Sequence, residues 1–412
     1  MRFGLKSADS VRWYGGLPAP EKEEMNTAVL TRVEELEAIR SEWDALAHLD
    51  ARDGFFRTSG WYLSWLRCVR PDAQPFVITA RSEDDRLVGL APLCLYSYQD
   101  LGFRLDTVGF AGAEIVSGDF LDVLAEPTER ARVLNATFDA LQENRSRWGL
   151  LQLGEVLISG ELHSIAKTRA GEMGLALREE QENICPFILL PSSFDEYLKG
   201  LNKSVRYNIR RRTKMILEEK NGSIEVCQGP ADVSKGVDAL VQLHHARWRS
   251  RNDPGTLGRP GFVNFIRDVC ANPPGGSSYR LYVLRHAGQP AGAFLVFYFG
   301  ESALYYQAGW DPNSPIERYS PGMVLMARSI QDAIDAGKHY YEFLRGDEAY
   351  KFRWTKSTRR TITLLAARST VARTYLRTAQ AKDLVKRLLG KGPAQSDPVP
   401  VAIEEPAEQQ QK

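Results

Sequence analysis

The sequence predicts an α+β fold of two related halves, and three observations carry that expectation. The chain has 412 residues, more than one typical domain of about 100 to 200. A strand hairpin followed by a helix and a further strand occurs early in the chain and again late. The second strands of the two hairpins also open alike, with RLVGLAPLCLY at 86–96 and QPAGAFLVFYF at 289–299. Each reads as a turn followed by a strand of small residues, so the order suggests internal duplication.

The elements follow in chain order. Residues 1–25 read as an unstructured extension. A strand is expected at Thr27–Thr31, and Thr31 with Glu34 has capping-box spacing before a helix carrying Leu36, Ile39, Trp43 and Leu46. A second helix holds Trp61, Leu63, Trp65 and Leu66. Phe76–Ala80 and Leu87–Tyr96 read as a hairpin across Ser82-Glu83-Asp84-Asp85. Helical spacing runs through Thr128–Asn144, and Gly149–Leu153 follows as a buried strand.

Between the halves lies Ser192–Lys220, where Ser193 and Glu196 repeat the capping-box spacing and Leu198, Leu201, Val205, Ile209 and Ile216 form an apolar face. Lys203, Arg206, Arg210 and Lys214 recur three and four residues apart and form a cationic stripe. In the second half, Tyr279–Arg285 and Ala291–Phe299 form a hairpin across His286-Ala287-Gly288-Gln289. A strand at Ser302–Trp310, a helix over Tyr319–Gly337 and a strand at Tyr340–Leu344 follow. Residues 371–391 read as a basic amphipathic helix, and 392–412, rich in Pro, Glu and Gln, as a disordered tail.

Composition narrows the function classes. With 43% hydrophobic residues, 25% charged residues and a formal net charge of +1, the chain is neither a disordered protein nor a general polyanion coat. Five widely spaced cysteines without a CxxC pair suit a reducing compartment and argue against a zinc site. The richest apolar run, Ala291–Phe299, is strand-sized and far short of the roughly 20 residues that span a bilayer, and the first residues lack a signal-peptide core. A cytoplasmic location, no metal and no DNA partner are the expectations. There is no GxSxG elbow, GxGxxG loop or Walker A lysine.

Two stretches hold chemistry. Ser320-Pro321-Gly322 opens a helix after a polar loop, and free amides at such a start suit a pyrophosphate, although ordinary capping has the same signature. Then comes Tyr340–Trp354, YYEFLRGDEAYKFRW, in which Asp347, Tyr350, Lys351, Arg353 and Trp354 cluster past a strand end, where open sheets place ligands. A lysine there can support an oxyanion and a tyrosine can protonate a departing thiolate. A solvated loop with an aromatic plug accounts for the same residues. The cationic stripe has three readings: a solvated face, a phosphate clamp or an RNA contact. His244 and His245 are adjacent on a helix, so their rings point apart, and they read as structural rather than catalytic.

These residues resemble a family. The order of hairpin, strand, SPG-led helix and strand, with SPGMVLMARSIQDAIDAG, YYEFLRGDEAYKFRW and KSVRYNIRRR, resembles the GNAT acyltransferase superfamily. The likeness extends to its CelD-like branch, linked to cellulose and exopolysaccharide formation, and to the Fem-type aminoacyl transferases. It implies two tandem GNAT-like domains, 26–185 and 186–370, each a mixed, mainly antiparallel sheet flanked by helices, with catalysis in the second. It implies Lys351 as the lysine that stabilises the tetrahedral intermediate; from the cluster itself, Tyr350 and Asp347 are the further catalytic candidates. Ser320, Gly322 and Met323 would hold the donor, acetyl-CoA or another acyl-CoA, and Arg206, Asn208, Arg210 and Trp354 the acceptor. The usual glycine-rich RxxGxG pattern is missing. The implied activity is acyl transfer, chiefly acetyl, to an amine or hydroxyl of a sugar nucleotide or polysaccharide precursor. Transfer from aminoacyl-tRNA is the second, less favoured reading, and a scaffold in a polysaccharide-synthesis complex the third. A peripheral membrane or synthase-complex contact is a further expected partner.

Overall fold

The structure is a computed structural model that describes residues 25–113, 115–249 and 255–389. The expected extension, apart from Met25, and the expected tail lie outside these residues. So does the Trp248 side chain on the histidine helix.

The strands are β1 (Asn26–Leu30), β2 (Gln74–Arg81), β3 (Leu87–Asp100), β4 (Phe103–Phe110), β5 (Leu124–Ala125), β6 (Leu150–Leu157) and β7 (Ala176–Leu189). They continue with β8 (Ser223–Cys227), β9 (Ser278–His286), β10 (Gln289–Phe299), β11 (Ser302–Trp310), β12 (Tyr340–Glu342) and β13 (Thr358–Ala367). The helices are α1 (Val33–Ala38), α2 (Arg40–Leu49), α3 (Ser59–Cys68), α4 (Arg130–Glu143), α5 (Glu161–Glu172) and α6 (Phe194–Gly200). After them come α7 (Lys203–Lys214), α8 (Val233–Arg249), α9 (Phe262–Ala271), α10 (Pro321–Asp335) and α11 (Thr370–Leu388).

All strands join one sheet in the order β1-β2-β3-β4-β6-β13-β7-β12-β11-β10-β9-β8, with β5 paired to β3. The duplication is visible in its topology. The hairpin β2–β3 continues antiparallel into β4, and α4 then returns the chain to β6, which pairs parallel with β4 at Thr107↔Leu150 to Gly109↔Gln152. Hairpin β9–β10, strand β11 and helix α10 lead in the same way to β12, parallel to β11 at Ser302↔Tyr340 to Leu304↔Glu342. The matched openings occupy matched places. A Cβ on Gly89 of β3 would stand 2.3 Å from Val133 of α4, and one on Gly292 of β10 would stand 3.1 Å from Leu325 of α10. In both halves a glycine admits the crossover helix to the sheet.

β10 shows why these residues form a buried strand. Ala293, Leu295, Phe297 and Phe299 enter one core, while Phe294, Val296 and Tyr298 enter the other. That is the period of two of a strand covered on both faces. On the first face lie α8 and α9 with α3 of the first half, and on the second lie α10, α6 and α7. The β9–β10 turn needs only Ala287 (φ 49°) and Gly288 (φ 77°), both left-handed, as a two-residue hairpin turn requires.

Several expectations shift. Arg32, not Thr31, is the cap of α1, and the amides of both donate to Glu35 Oε2 rather than to Glu34. The helix expected through Leu46 breaks at Ile39 into α1 and α2. The Ser192–Lys220 run likewise breaks into α6 and α7, although Ser193 does cap α6 by accepting the Glu196 amide at 3.3 Å. Strand pairing of β12 stops at Glu342, short of Leu344.

The largest difference concerns β13. Sequence order assigns it to the second half, yet it lies between β6 and β7 of the first, pairing antiparallel with both. β7 in turn gives its last three residues to β12. Each half therefore completes its sheet with a strand of the other. No helix among the described residues is long and apolar enough to cross a membrane. Because β6 and β7 face an empty slot without β13, a chain ending at residue 357 should lose cooperative unfolding in both halves. Circular dichroism during thermal melting checks this, and adding residues 358–389 as a separate polypeptide should restore the transition.

Candidate active site

The site forms where the parallel pair β11–β12 opens. After Glu342 the chain turns away from β11, and the register of β10 against β11 shifts between Leu295 and Val296, leaving Tyr306 as an extra residue on β11. Such a bulge bends a strand and re-aims a side chain. Here it bends β11 just past its paired stretch, and the Tyr306 hydroxyl donates to Val116 O of the first half at 2.5 Å. Beyond Leu304, no strand among the described residues pairs with the β12 side of β11.

A cavity of about 210 Å³ fills this opening. Tyr305 to Ala308 of β11 form one wall and Phe343 to Arg345 the other; Glu348, Tyr350 and Lys351 close one end, His244, Arg247 and Thr256 line another side, and Ser117 and Asp119 come from the first half. The surrounding backbone is strained. Ile115 (φ 50°), Ser117 (54°), Phe120 (55°), Glu155 (56°) and Leu344 (58°) are all left-handed without being glycine. Each costs about 1 to 3 kcal/mol and persists only where its surroundings hold it.

Arg345 supplies much of that hold. Its amide donates to Asp119 Oδ2 at 2.9 Å, Nε stands 2.7 Å from Asp119 Oδ1, and its guanidinium reaches Glu155, Ala113 O and Gly118 O. Asp119 and Glu155 are buried. Burial pushes the Glu155 carboxyl above its ordinary range, while Arg345 pulls it down and Asp119 pushes it up. A second buried cluster lies beside β12: Arg359 clasps Asp53 through two bonds of 2.7 and 2.9 Å and reaches Glu342, which also pairs with Arg52.

Lys351 is buried, as a lysine rarely is without partners. Its Nζ donates to the carbonyls of Leu344, Arg345 and Gly346 at 3.2, 2.8 and 3.3 Å and pairs with Glu348 at 3.0 Å. Three protons thus face four acceptors, and only Glu348 has an exposed side chain. Gly346 holds φ at 118°, a backbone conformation that residues with a side chain rarely adopt. The Tyr350 hydroxyl shares a hydrogen bond with Tyr305, and burial first, then Glu348, pushes it up to about 12. His244 is buried, with Nε2 3.4 Å from Thr256 Oγ1, itself 3.4 Å from Gln307 Oε1. The Arg247 guanidinium lies 3.7 Å from the centroid of the Trp310 ring.

A second hollow, about 240 Å³, lies at the start of α10, between α7 and the loop before Ser320. Asn208, Arg211, Arg212, Met215, Arg318 and Tyr319 line it, with no carboxylate among them. Ser320 holds the N-cap position but in a left-handed conformation (φ 57°, ψ 68°), and its side chain makes no capping bond. Gly322 has space before it, its nearest neighbour being Phe294 at 3.8 Å from a built Cβ, and Met323 packs partly buried on the core.

Lys351 and Tyr350 thus meet in one cavity, while other expected site residues lie elsewhere. Asp347 is exposed and does not line the cavity; Glu348 does. Arg206 donates to the carbonyls of Leu198 and Lys199, so it caps α6 and is spent on the fold. Arg210 is exposed, 3.8 Å from Asp195. Trp354 is buried in the core, its carbonyl accepting from the Tyr197 hydroxyl at 2.8 Å. Asn208 lines the basic hollow together with Arg211 and Arg212, a different face of α7 from the stripe picked out by spacing. His244, Arg247, Asp119 and Arg345 were not expected as site residues. For His244 a signal existed, since only one of two adjacent histidines on a helix can face the sheet. Among the described residues no group of three or more His, Cys, Asp or Glu is placed to hold a metal.

Comparison with known proteins bears on the fold that carries this cavity. Residues 203–352 match the family described as the acetyltransferase (GNAT) domain. Among solved structures, FemX superposes with a TM-score of 0.56 at 11% identity, covering 83% of this chain and 97% of its own. A conserved protein of unknown function from Bacteroides thetaiotaomicron VPI-5482 gives 0.50 at 11% identity, covering 83% of this chain and 100% of its own. A tandem GNAT protein from the clavulanic acid biosynthesis pathway gives 0.46 at 14% identity, covering 84% and 98%. For FemX and the Bacteroides protein the likeness, at 11% identity, is one of fold. No curated protein matches the sequence.

Replacing Arg345 with Met should destabilise the protein by about 3 to 5 kcal/mol, because it leaves two buried carboxylates without their cation. Those carboxylates would then bind protons more readily in the folded than in the unfolded chain, so the deficit should narrow as the pH falls from 7 into the carboxyl range. Denaturant melts of both proteins at several pH values measure it.

Proposed function

We propose that the chain is an acyltransferase that moves an acyl group, chiefly acetyl, from an acyl-CoA to an amine or hydroxyl of a sugar nucleotide or polysaccharide precursor. The observation that carries this reading is the opened β11–β12 pair, whose cavity collects Lys351, Tyr350 and His244 within a GNAT-type domain. The edge of β11 beyond Leu304 offers backbone groups to the amides of an extended donor arm. The basic hollow at the start of α10 suits the donor's phosphates, which Arg211, Arg212 and Arg318 would pair.

In this reading the acceptor nitrogen or oxygen attacks the thioester carbonyl and yields its proton to His244. The new N–C or O–C bond forms and the C–S bond breaks. The carbonyl oxygen takes the place of Glu348, the exposed acceptor, beside Lys351 Nζ, and Tyr350 gives its proton to the leaving thiolate. With its hydroxyl pushed up to about 12, Tyr350 stays protonated through neutral and mildly alkaline pH.

Tyr350→Phe should lower kcat by about a hundredfold with little change in KM. Any alkaline limb that belongs to Tyr350 should lie above about pH 11, so a limb near pH 9 that disappears in the variant would contradict the assignment. Lys351→Ala should lose at least as much rate and also melt earlier, because the turn at 344–346 loses its clamp. Retention of full rate would refute the catalytic role.

The donor is tested by thermal shift against acetyl-CoA, longer acyl-CoAs and UDP-sugars, since a ligand of the folded state raises its melting temperature. Reversing charge at Arg211 and Arg318 together should abolish the acyl-CoA shift. The exposed basic face of α7, with Lys203, Arg210 and Lys214, favours a second reading in which aminoacyl-tRNA is the donor. Tight, salt-sensitive tRNA binding without any acyl-CoA shift would select it.

A further inference from the structure

The last turns of α11 carry apolar side chains that no other part of the described structure covers. The helix is anchored through Ala372, Tyr375 and Leu376, which pack on Leu105, Leu150, Leu365 and Ala367. Beyond Ala379 none of the described side chains is buried. Asp383, on the same helix face as Ala372, Leu376 and Ala379, still faces the body of the protein. Among the described side chains of this stretch, Asp383 pairs with Arg178 of β7.

This end of the helix is apolar on the face that solvent meets. Leu384, Val385 and Leu388 are 59%, 52% and 77% exposed, with Leu389 at 64% just past the helix. Their spacing of one, three and four residues places them on a single stripe. Four aliphatic side chains so open, on one turn and a half, are more than the scattered apolar residues of an ordinary surface. Around the stripe the chain is basic: Arg377 and Lys382 are exposed, and the sequence adds Lys386, Arg387 and Lys391. Asp383 is the only acidic residue from Thr370 to Lys391, and Arg178 neutralises it.

We propose that the end of α11 is a docking element for an anionic lipid surface. Leu384, Val385, Leu388 and Leu389 enter the headgroup boundary while the flanking lysines and arginines meet lipid phosphates. Charge decides between occupants. A second copy of the chain seated stripe to stripe would bring two sets of cations together, whereas anionic headgroups neutralise them. This inference is independent of the reaction proposed for the β11–β12 cavity, because α11 packs on β4 and β13.

The full-length protein is tested by co-sedimentation with vesicles of neutral lipid and with vesicles containing about 30% phosphatidylglycerol. Binding should be confined to the anionic vesicles and should weaken as salt rises from about 0.1 to about 0.5 M. The double substitution Leu384→Ser and Leu388→Ser should reduce it by about tenfold with an unchanged melting temperature, since both side chains are exposed. Replacing Lys382 and Lys386 with Gln should reduce it as well. No binding to anionic vesicles, or equal binding by the serine variant, would overturn the proposal. So would a concentration-dependent dimer that the serine variant abolishes, which would assign the stripe to a second copy.

Discussion

The site depends on Arg345. This residue leaves the second half just after β12 and inserts its guanidinium among Asp119, Glu155 and the carbonyls of Ala113 and Gly118, all from the first half. Two buried carboxylates are tolerable because one delocalised cation answers both, and that cation is sited by its own backbone bond to Asp119. Lys351 then holds the carbonyls on either side of it. The wall of the cavity is therefore fixed by ion pairs and carbonyl clamps rather than by strand pairing, which ends at Glu342.

The duplication gains meaning from the same contact. Both halves contain a short parallel pair, β4–β6 and β11–β12, that separates past its third residue pair. In the second half the opening is a cavity. In the first, the segments past the paired stretch, Ala113 to Gly118 and Glu155, are occupied by Arg345. One copy of the opening is left as a cavity, and the other receives a side chain that stabilises its twin. The exchange of β13 and the sharing of β7 bind the halves into one sheet, so the cavity can use residues from both without a hinge between them.

Much of this was legible in sequence wherever the signal is local. Alternation in QPAGAFLVFYF, turn residues Ala287-Gly288, the SPG start and the run around Lys351 each depend on neighbours within a few positions. The aligned glycines Gly89 and Gly292 carry the duplication because a crossover helix must pass close to both strands. Spacing alone misjudged the stripe on α7. It counted charges without asking where they are spent, and Arg206 is spent on the carbonyls that end α6. Asp347 and Glu348 are equivalent by spacing, and only the turn at Gly346 decides which of them meets Lys351.

By itself, then, the sequence determined the type and order of most elements, the doubled plan and the stretch that holds Lys351 and Tyr350, because periodicity, capping and turn chemistry act over short distances. The tertiary structure alone decided that β13 belongs between β6 and β7, that His244, Arg247 and Asp119 join the cavity, and that the apolar side chains at the end of α11 stay uncovered. Those outcomes depend on pairings between residues distant in the chain, as Arg345 and Asp119 are at 226 positions apart. No local pattern records which distant carboxylate a buried cation will find.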